Sequence, residues 1–266
     1  MQNANKRLKI VLAERQNVEA MLNGQKRVLE LVASGAPLSE SLTALVRLIE
    51  EHAPGMLGSI LLLDEDGVHL RHGAAPSLPS EYTAAIDGAS IGPNAGSCGT
   101  AAYRGEAVVV EDITTSPLWD DYRAMALPHG LHACWSTPIC DEQGKVLGTF
   151  AMYYRHPALP HPEHLRLIEI TTHIAAIAIG RERTESALRK SELNYRRIVD
   201  TANEGVWVLG PDYITTFVNT RMAEMVCTIL QMAYGGAIRI LCPHTKNPTG
   251  KIVTGAGAMA GWLRHW

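Results

Sequence analysis

The chain has 266 residues, enough for one large domain or two small ones, and its 46% hydrophobic and 19% charged residues match a folded globular protein. A formal charge of −3 gives no electrostatic basis for binding nucleic acid or an anionic membrane. No apolar run reaches the ~18–20 residues of a membrane span, the N-terminus has no apolar signal core, and the five cysteines are irregularly spaced; the expectation is a cytoplasmic protein with reduced thiols and no membrane span.

Residues 5–34 are predicted to form a helix. Leu8, Val11, Val18, Leu22, Leu29 and Val32 recur on a three-four spacing broken by Arg15 and Gln25. That pattern reads either as a coiled-coil seam or as an amphipathic face lying on its own domain. Gly35, Ala36 and Pro37 end the helix, and Ser39 is placed to cap the next one, which runs to about His52. Residues 59–63 form a buried strand, 64–67 a turn and 68–71 the hairpin partner. The stretch 74–130 is rich in Pro, Gly and Ser and too long for a simple connection, so it is expected to cover one sheet face. Two strands follow, at about 132–140 and 145–155. A long helix then opens near Pro162 with two apolar stripes. One is Leu165, Ile168, Thr172, Ala175 and Ile179; the other is Leu167, Ile170, Ile174 and Ile177. Two stripes require two partners: the sheet, and either the N-terminal helix or a second subunit.

Strand side chains alternate between faces. With Trp135 and Ile139 directed at the helices, Cys134, Ser136, Thr149, Ala151 and Tyr153 face the cover, where Trp119 and Tyr122 lie. These residues, with Cys98, are the candidate ligand-binding set: weakly polar, partly aromatic and uncharged, suited to a small uncharged or aromatic molecule. Cys98 stands at a predicted helix N-terminus, where free backbone N–H groups favour a thiolate; the favoured reading is a packing role as a small buried residue in a glycine-bounded turn. His129, His132 and Cys134 have metal-ligand spacing, but strand alternation accounts for them as packing, and no metal is expected. Phosphate-cradle and nucleophile-elbow motifs are absent, and no cofactor is identified.

The order of motifs resembles a GAF domain over residues 20–182. The carriers are Gly92-Pro-Asn-Ala-Gly-Ser-Cys-Gly-Thr-Ala-Ala102, the β-branched run 108–113, the aromatic-acidic patch 117–122, and the segments 132–139 and 144–154. The resemblance implies an α/β (α+β) fold: an antiparallel sheet of five or six strands, terminal helices on one face and a loop-and-helix cover on the other. It also implies a small-molecule sensor, as in bacterial signal-transduction proteins, in place of a catalyst. GAF-fold reductases of free methionine sulfoxide share the cysteine motif, but the second cysteine and the acidic substrate ligands of that group have no counterpart here, so that activity is not expected.

Residues 183–200 resemble a signalling connector helix, and 201–226 resemble the opening of a PAS domain, with Asn219 capping a helix over 220–225. Such input regions occur in histidine kinases and diguanylate cyclases. Residues 1–19 are the start of the first helix. The last forty residues, 227–266, contain four basic and no acidic side chains, against 20 basic (24 − 4) and 27 acidic before them. This tail is expected to be either a truncated or frame-shifted reading, or a divergent segment with its own role. The leading expectation is thus a ligand-sensing module that relays its state through a helical homodimer. The alternative is a hydrolase or thiol-redox enzyme in which Cys98 or Cys134 is activated by His129 or His132.

Overall fold

The computed structural model describes residues 2–211 and 214–234. It divides into two compact units after Thr184.

The first unit is built on one antiparallel sheet of six strands. They are β1 (Leu57–Leu63), β2 (His69–Ala74), β3 (Ala89–Ser90), β4 (Val108–Val110), β5 (Ala133–Cys140) and β6 (Val146–Tyr154), in the spatial order β3-β2-β1-β6-β5-β4. The central strands β1, β6 and β5 are buried on both faces, which explains their nearly continuous apolar and small-residue sequences. The hydrophobic effect therefore drives two separate layers onto them.

On one face lie α1 (Gln2–Ser34), α2 (Leu38–His52) and α6 (Pro162–Thr201). Leu42, Leu45, Val46 and Ile49 of α2 and Ile174, Ala175, Ala178 and Ile179 of α6 pack with Ile60, Trp135, Ile139, Phe150 and Met152 from the sheet. On the other face lies the cover: α3 (Ser80–Ile86), α4 (Gly96–Arg104), α5 (Arg123–Ala126) and two 3-10 turns at Pro117–Trp119 and Leu127–His129. Its core joins Tyr82, Ile86, Cys98, Ala101, Trp119 and Leu131 to Leu61, Cys134, Ala151 and Tyr153. The expected fold class and two-sided arrangement are both present.

Three local expectations need correction. Ser39 does not cap α2: Pro37 occupies the cap position, with no side-chain hydrogen bond, and Ser39 lies inside the first turn. In α1 the buried side chains are Met21, Val28 and Val32, whereas Val18, Leu22 and Leu29 are exposed. The inner face is thus rotated from the sequence seam, because α2 supplies a partner on only one side. In α6 the two stripes do not separate cleanly. Ile174, Ala175 and Ile179 are buried, while Leu165 and Ile177 are exposed.

The second unit contains the end of α6, the hairpin β7 (Trp207–Leu209) and β8 (Thr215–Val218), and α7 (Thr220–Tyr234). Asn219 is fully buried and caps α7, accepting from the Met222 N–H at 2.9 Å through Oδ1. That helix continues beyond residue 225, where the PAS resemblance ends, to Tyr234. Residues 235–266, the greater part of the atypical tail, lie outside the described residues.

Candidate functional site

The site is the layer between β1, β6, β5 and α4. Gly96 opens α4 with φ +62°, a left-handed conformation that favours glycine. The turn brings the helix start beneath the aromatic rings of Trp119 and Tyr122, each 3.9 Å from where a Cβ on Gly96 would stand. Ser97 then donates from Oγ to the Cys134 carbonyl at 3.0 Å and accepts from Trp119 Nε1 at 3.0 Å. One serine thereby ties α4, the cover turn and β5 together.

Strand register fixes the sheet side. Ala151 of β6 pairs with Ser59 of β1 and with Ser136 of β5, so these three small side chains form one row across the sheet. Thr149 follows two residues along β6 on the same face. Tyr153 lies two residues the other way, beside Cys134. Of the four buried side-chain oxygens without a hydrogen-bond partner among the described residues, three are Ser59 Oγ, Ser136 Oγ and Thr149 Oγ1. They ring the Ala151 methyl. Buried hydroxyls left unpaired are costly, by about 1–3 kcal/mol each, so three on one face make this layer the candidate binding site.

Above them stands Cys98. Its Sγ is 3.7 Å from Tyr153 Oη, which lies 3.5 Å from Tyr82 Oη. Cys98 and Cys134 are close enough to bias each other's ionisation. The Cys134 thiol, then the Ser136, Tyr153 and Thr149 hydroxyls, hold Cys98 down to about 7 against its burial. Burial pushes Cys134 well up, so Cys98 is the more acidic of the pair. The Ser136 and Thr149 oxygens are near enough to influence Cys98 while remaining outside hydrogen-bond geometry. Burial, first, drives Tyr82 and Tyr153 well above the ordinary phenol value, so both are neutral donors.

The structure thus brings together Cys98, Trp119, Cys134, Ser136, Thr149, Ala151 and Tyr153, all buried, with Tyr122 half-buried at the margin. Ser59 and Tyr82 were missed by the sequence reading. Ser59 was inside an apolar strand, and only its odd position two residues before Leu61 signals the cover face. Tyr82 carried no motif at all. The cysteine–histidine pairing is not formed. His129 packs edge-on to Tyr82, with ring centroids 5.9 Å apart, and no hydrogen bond joins His129 or His132 to either thiol among the described residues. No group of three His, Cys, Asp or Glu side chains is arranged to hold a metal there either. A separate groove of about 610 Å³ lies between α1 and α2, bordered by Arg27, Glu30, Arg47 and Glu51.

A six-stranded antiparallel sheet, helices on one face and a short-helix cover over a small polar cluster define a two-sided α+β module. The chain belongs to the GAF domain family, whose model matches residues 35–180, more than half of its length. It is 39% identical over 204 residues to the methyl sulfide methyltransferase-associated sensor of Methanosarcina acetivorans, covering 77% of this chain but 20% of that protein. The chain therefore spans about a fifth of the length of this curated relative. Among solved structures, it resembles the GAF domain of a Coxiella burnetii phosphoenolpyruvate-protein phosphotransferase, with TM-score 0.51, 20% identity, 64% of this chain and 98% of that one. The corresponding Acinetobacter domain gives TM-score 0.50 and 18% identity, covering 63% of this chain and 97% of that one. These two likenesses establish the fold.

Proposed function

We propose that this chain is the small-molecule-sensing region of a longer signal-transduction protein, with a GAF module followed by the opening of a PAS domain. The ring of unpaired Ser59, Ser136 and Thr149 hydroxyls around Ala151 carries the reading. No charged side chain belongs to the buried set, so the ligand is small and neutral, with hydrogen-bonding atoms for the hydroxyls and an apolar or aromatic edge for Trp119 and Tyr153. The layer is closely filled by Tyr82, Trp119 and Tyr153, so binding requires the cover to yield.

A route for the signal is present within the same unit. Arg183 of α6 donates through Nη2 to the carbonyls of Leu63, at 2.5 Å, and Leu147, at 3.2 Å. It therefore holds the ends of β1 and β6, the strands that carry Ser59 and Thr149. A shift of these strands reaches α6, and α6 continues as one helix to Thr201. The presence of "sensor" in the name of the Methanosarcina relative supports this reading. The parent protein's output could be a kinase or cyclase, and assembly would be a parallel homodimer through the helices.

The test combines mass spectrometry of small molecules released from purified protein with thermal-shift screening. A ligand raises the unfolding temperature by mass action. Thr149→Val and Ser136→Ala should leave the ligand-free protein as stable as before or more stable by about 1 kcal/mol, because each removes an unpaired hydroxyl at little change of volume. Both should abolish the ligand-induced rise. Persistence of the rise in both variants would place the ligand elsewhere and defeat the reading.

A further inference from the structure

The cover layer contains two buried thiols on different elements, and nothing in ligand binding requires both. Cys98 lies in the first turn of α4 and is 8% exposed; Cys134 lies on β5 and is fully buried. Ser97, the immediate neighbour of Cys98, is hydrogen-bonded to the backbone of Cys134, so the two chain segments are held in register by a contact independent of sulfur. Both are free thiols in one buried cluster: Cys98 Sγ lies 3.7 Å from Tyr153 Oη, and Tyr153 is the cross-strand partner of Cys134. Three unpaired hydroxyls stand beside them, two of which, on Ser136 and Thr149, lie near the Cys98 thiol.

We propose that Cys98 and Cys134 form a two-electron thiol switch whose stimulus is a small neutral peroxide received by the Ser136 and Thr149 hydroxyls. A peroxide is small, uncharged and rich in hydrogen-bonding sites, which matches the polar ring and the absence of ionic partners. The Cys98 thiolate attacks one peroxide oxygen. The O–O bond breaks, a sulfenic acid forms on Cys98, and the leaving oxygen departs as water, or as an alcohol from an organic peroxide, after taking a proton. Cys134 then attacks the Cys98 sulfur, expelling the sulfenic oxygen as water and forming the disulfide. Two thiols lose two electrons together, and one peroxide gains two. Tyr153, whose hydroxyl is 3.7 Å from Cys98 Sγ, is the nearby donor that stabilises the thiolate. The product covalently staples α4 to β5, converting a yielding cover into a fixed one.

The inference goes beyond ligand sensing and is separable from it: an unreactive ligand can bind with the thiols silent, and the thiols can react with no ligand retained. The whole reduced chain is treated with one equivalent of hydrogen peroxide, alkylated in denaturant and digested without reductant. The expected product is a peptide pair linked through Cys98 and Cys134, with a mass loss of about 2 Da that reductant reverses. In Cys134→Ala, a dione probe for sulfenic acid should label Cys98. In Cys98→Ala, Cys134 should remain unlabelled and alkylatable. The reaction rate should rise about tenfold per pH unit below neutrality and level off above it, following the thiolate fraction. Tyr153→Phe should slow it several-fold while both thiols still react. Full alkylation of both cysteines after ten equivalents of peroxide, pairing of either with another cysteine, or labelling of Cys134 alone would overturn the proposal. A thermal-shift measurement on each variant establishes that it folds before its chemistry is read.

Discussion

Asn219 shows how much one side chain can hold. It accepts from the N–H groups of Val206 and Met222, at 2.8 and 2.9 Å, and donates to the carbonyls of Val199 and Glu204, both at 2.9 Å. All four side-chain bonds of an amide are therefore used, joining the end of α6, the start of β7 and the first turn of α7. Alanine would leave four backbone groups without that partner, and the loss should be about 2–4 kcal/mol, combining a lost cap with several unpaired groups. Hydrogen exchange at the Val206 and Met222 amides should accelerate correspondingly, while exchange in β5 and β6 stays unchanged. Equal acceleration across both units would show that Asn219 supports more than its own unit. The capping role of Asn219 was legible in the sequence, because an Asn directly before a helical run is a local signal. The other three bonds were not, since they reach 13 to 20 residues back along the chain.

At the level of elements, β1 and β6 form the middle of the sheet, and Gly148 fixes how closely they approach. A Cβ at Gly148 would stand 2.3 Å from the Leu61 carbonyl oxygen and 3.2 Å from the Leu62 Cα. Neither is the end of a flexible side chain, so relief requires the strands to separate. Gly148→Ala should therefore destabilise the first unit by about 3 kcal/mol or more, read as a lower denaturant midpoint in circular dichroism. A change below about 0.5 kcal/mol would mean that the strand pair tolerates separation. The sequence displayed this sheet well. Alternation of Cys134, Ser136 and of Thr149, Ala151, Tyr153 gave the cover face, because a period of two needs only local information. It displayed the site less well. Tyr82 reaches Tyr153 from 71 residues away, and Cys98 joins the cluster that holds Cys134 only through the way α4 seats on β5. The Cys–His pairing rested on nearness along the chain: His132 lies just before β5, two residues from Cys134, yet no hydrogen bond joins it to either thiol among the described residues.

For the whole molecule, what remains exposed bears on assembly. On α6, Ile177, Leu188, Tyr195 and Ile198 are 44%, 61%, 70% and 60% exposed. With Thr184 they follow steps of seven, four, seven and three, the spacing of a coiled-coil seam. Glu185 and Glu192 fall on the flanking e positions and are charged, as such positions usually are, while Arg181 stands on the seam itself as a polar break. One copy leaves these four large side chains in water; a parallel second copy would bury them and align two signalling helices. Ile170, one residue of the second apolar stripe, packs partly against the helix-side core, so it is a poor probe of assembly. Leu188→Glu with Tyr195→Glu avoids that core and places like charges across the proposed seam. Light scattering should give about twice the 28.9 kDa chain mass for the parent and the single-chain mass for the variant. The thermal-shift response to a ligand should survive, because Ser59, Ser136 and Thr149 lie within one copy. A parent of single-chain mass, or a variant whose mass does not fall, would exclude this face as the dimer seam and leave α6 to act as a lone lever.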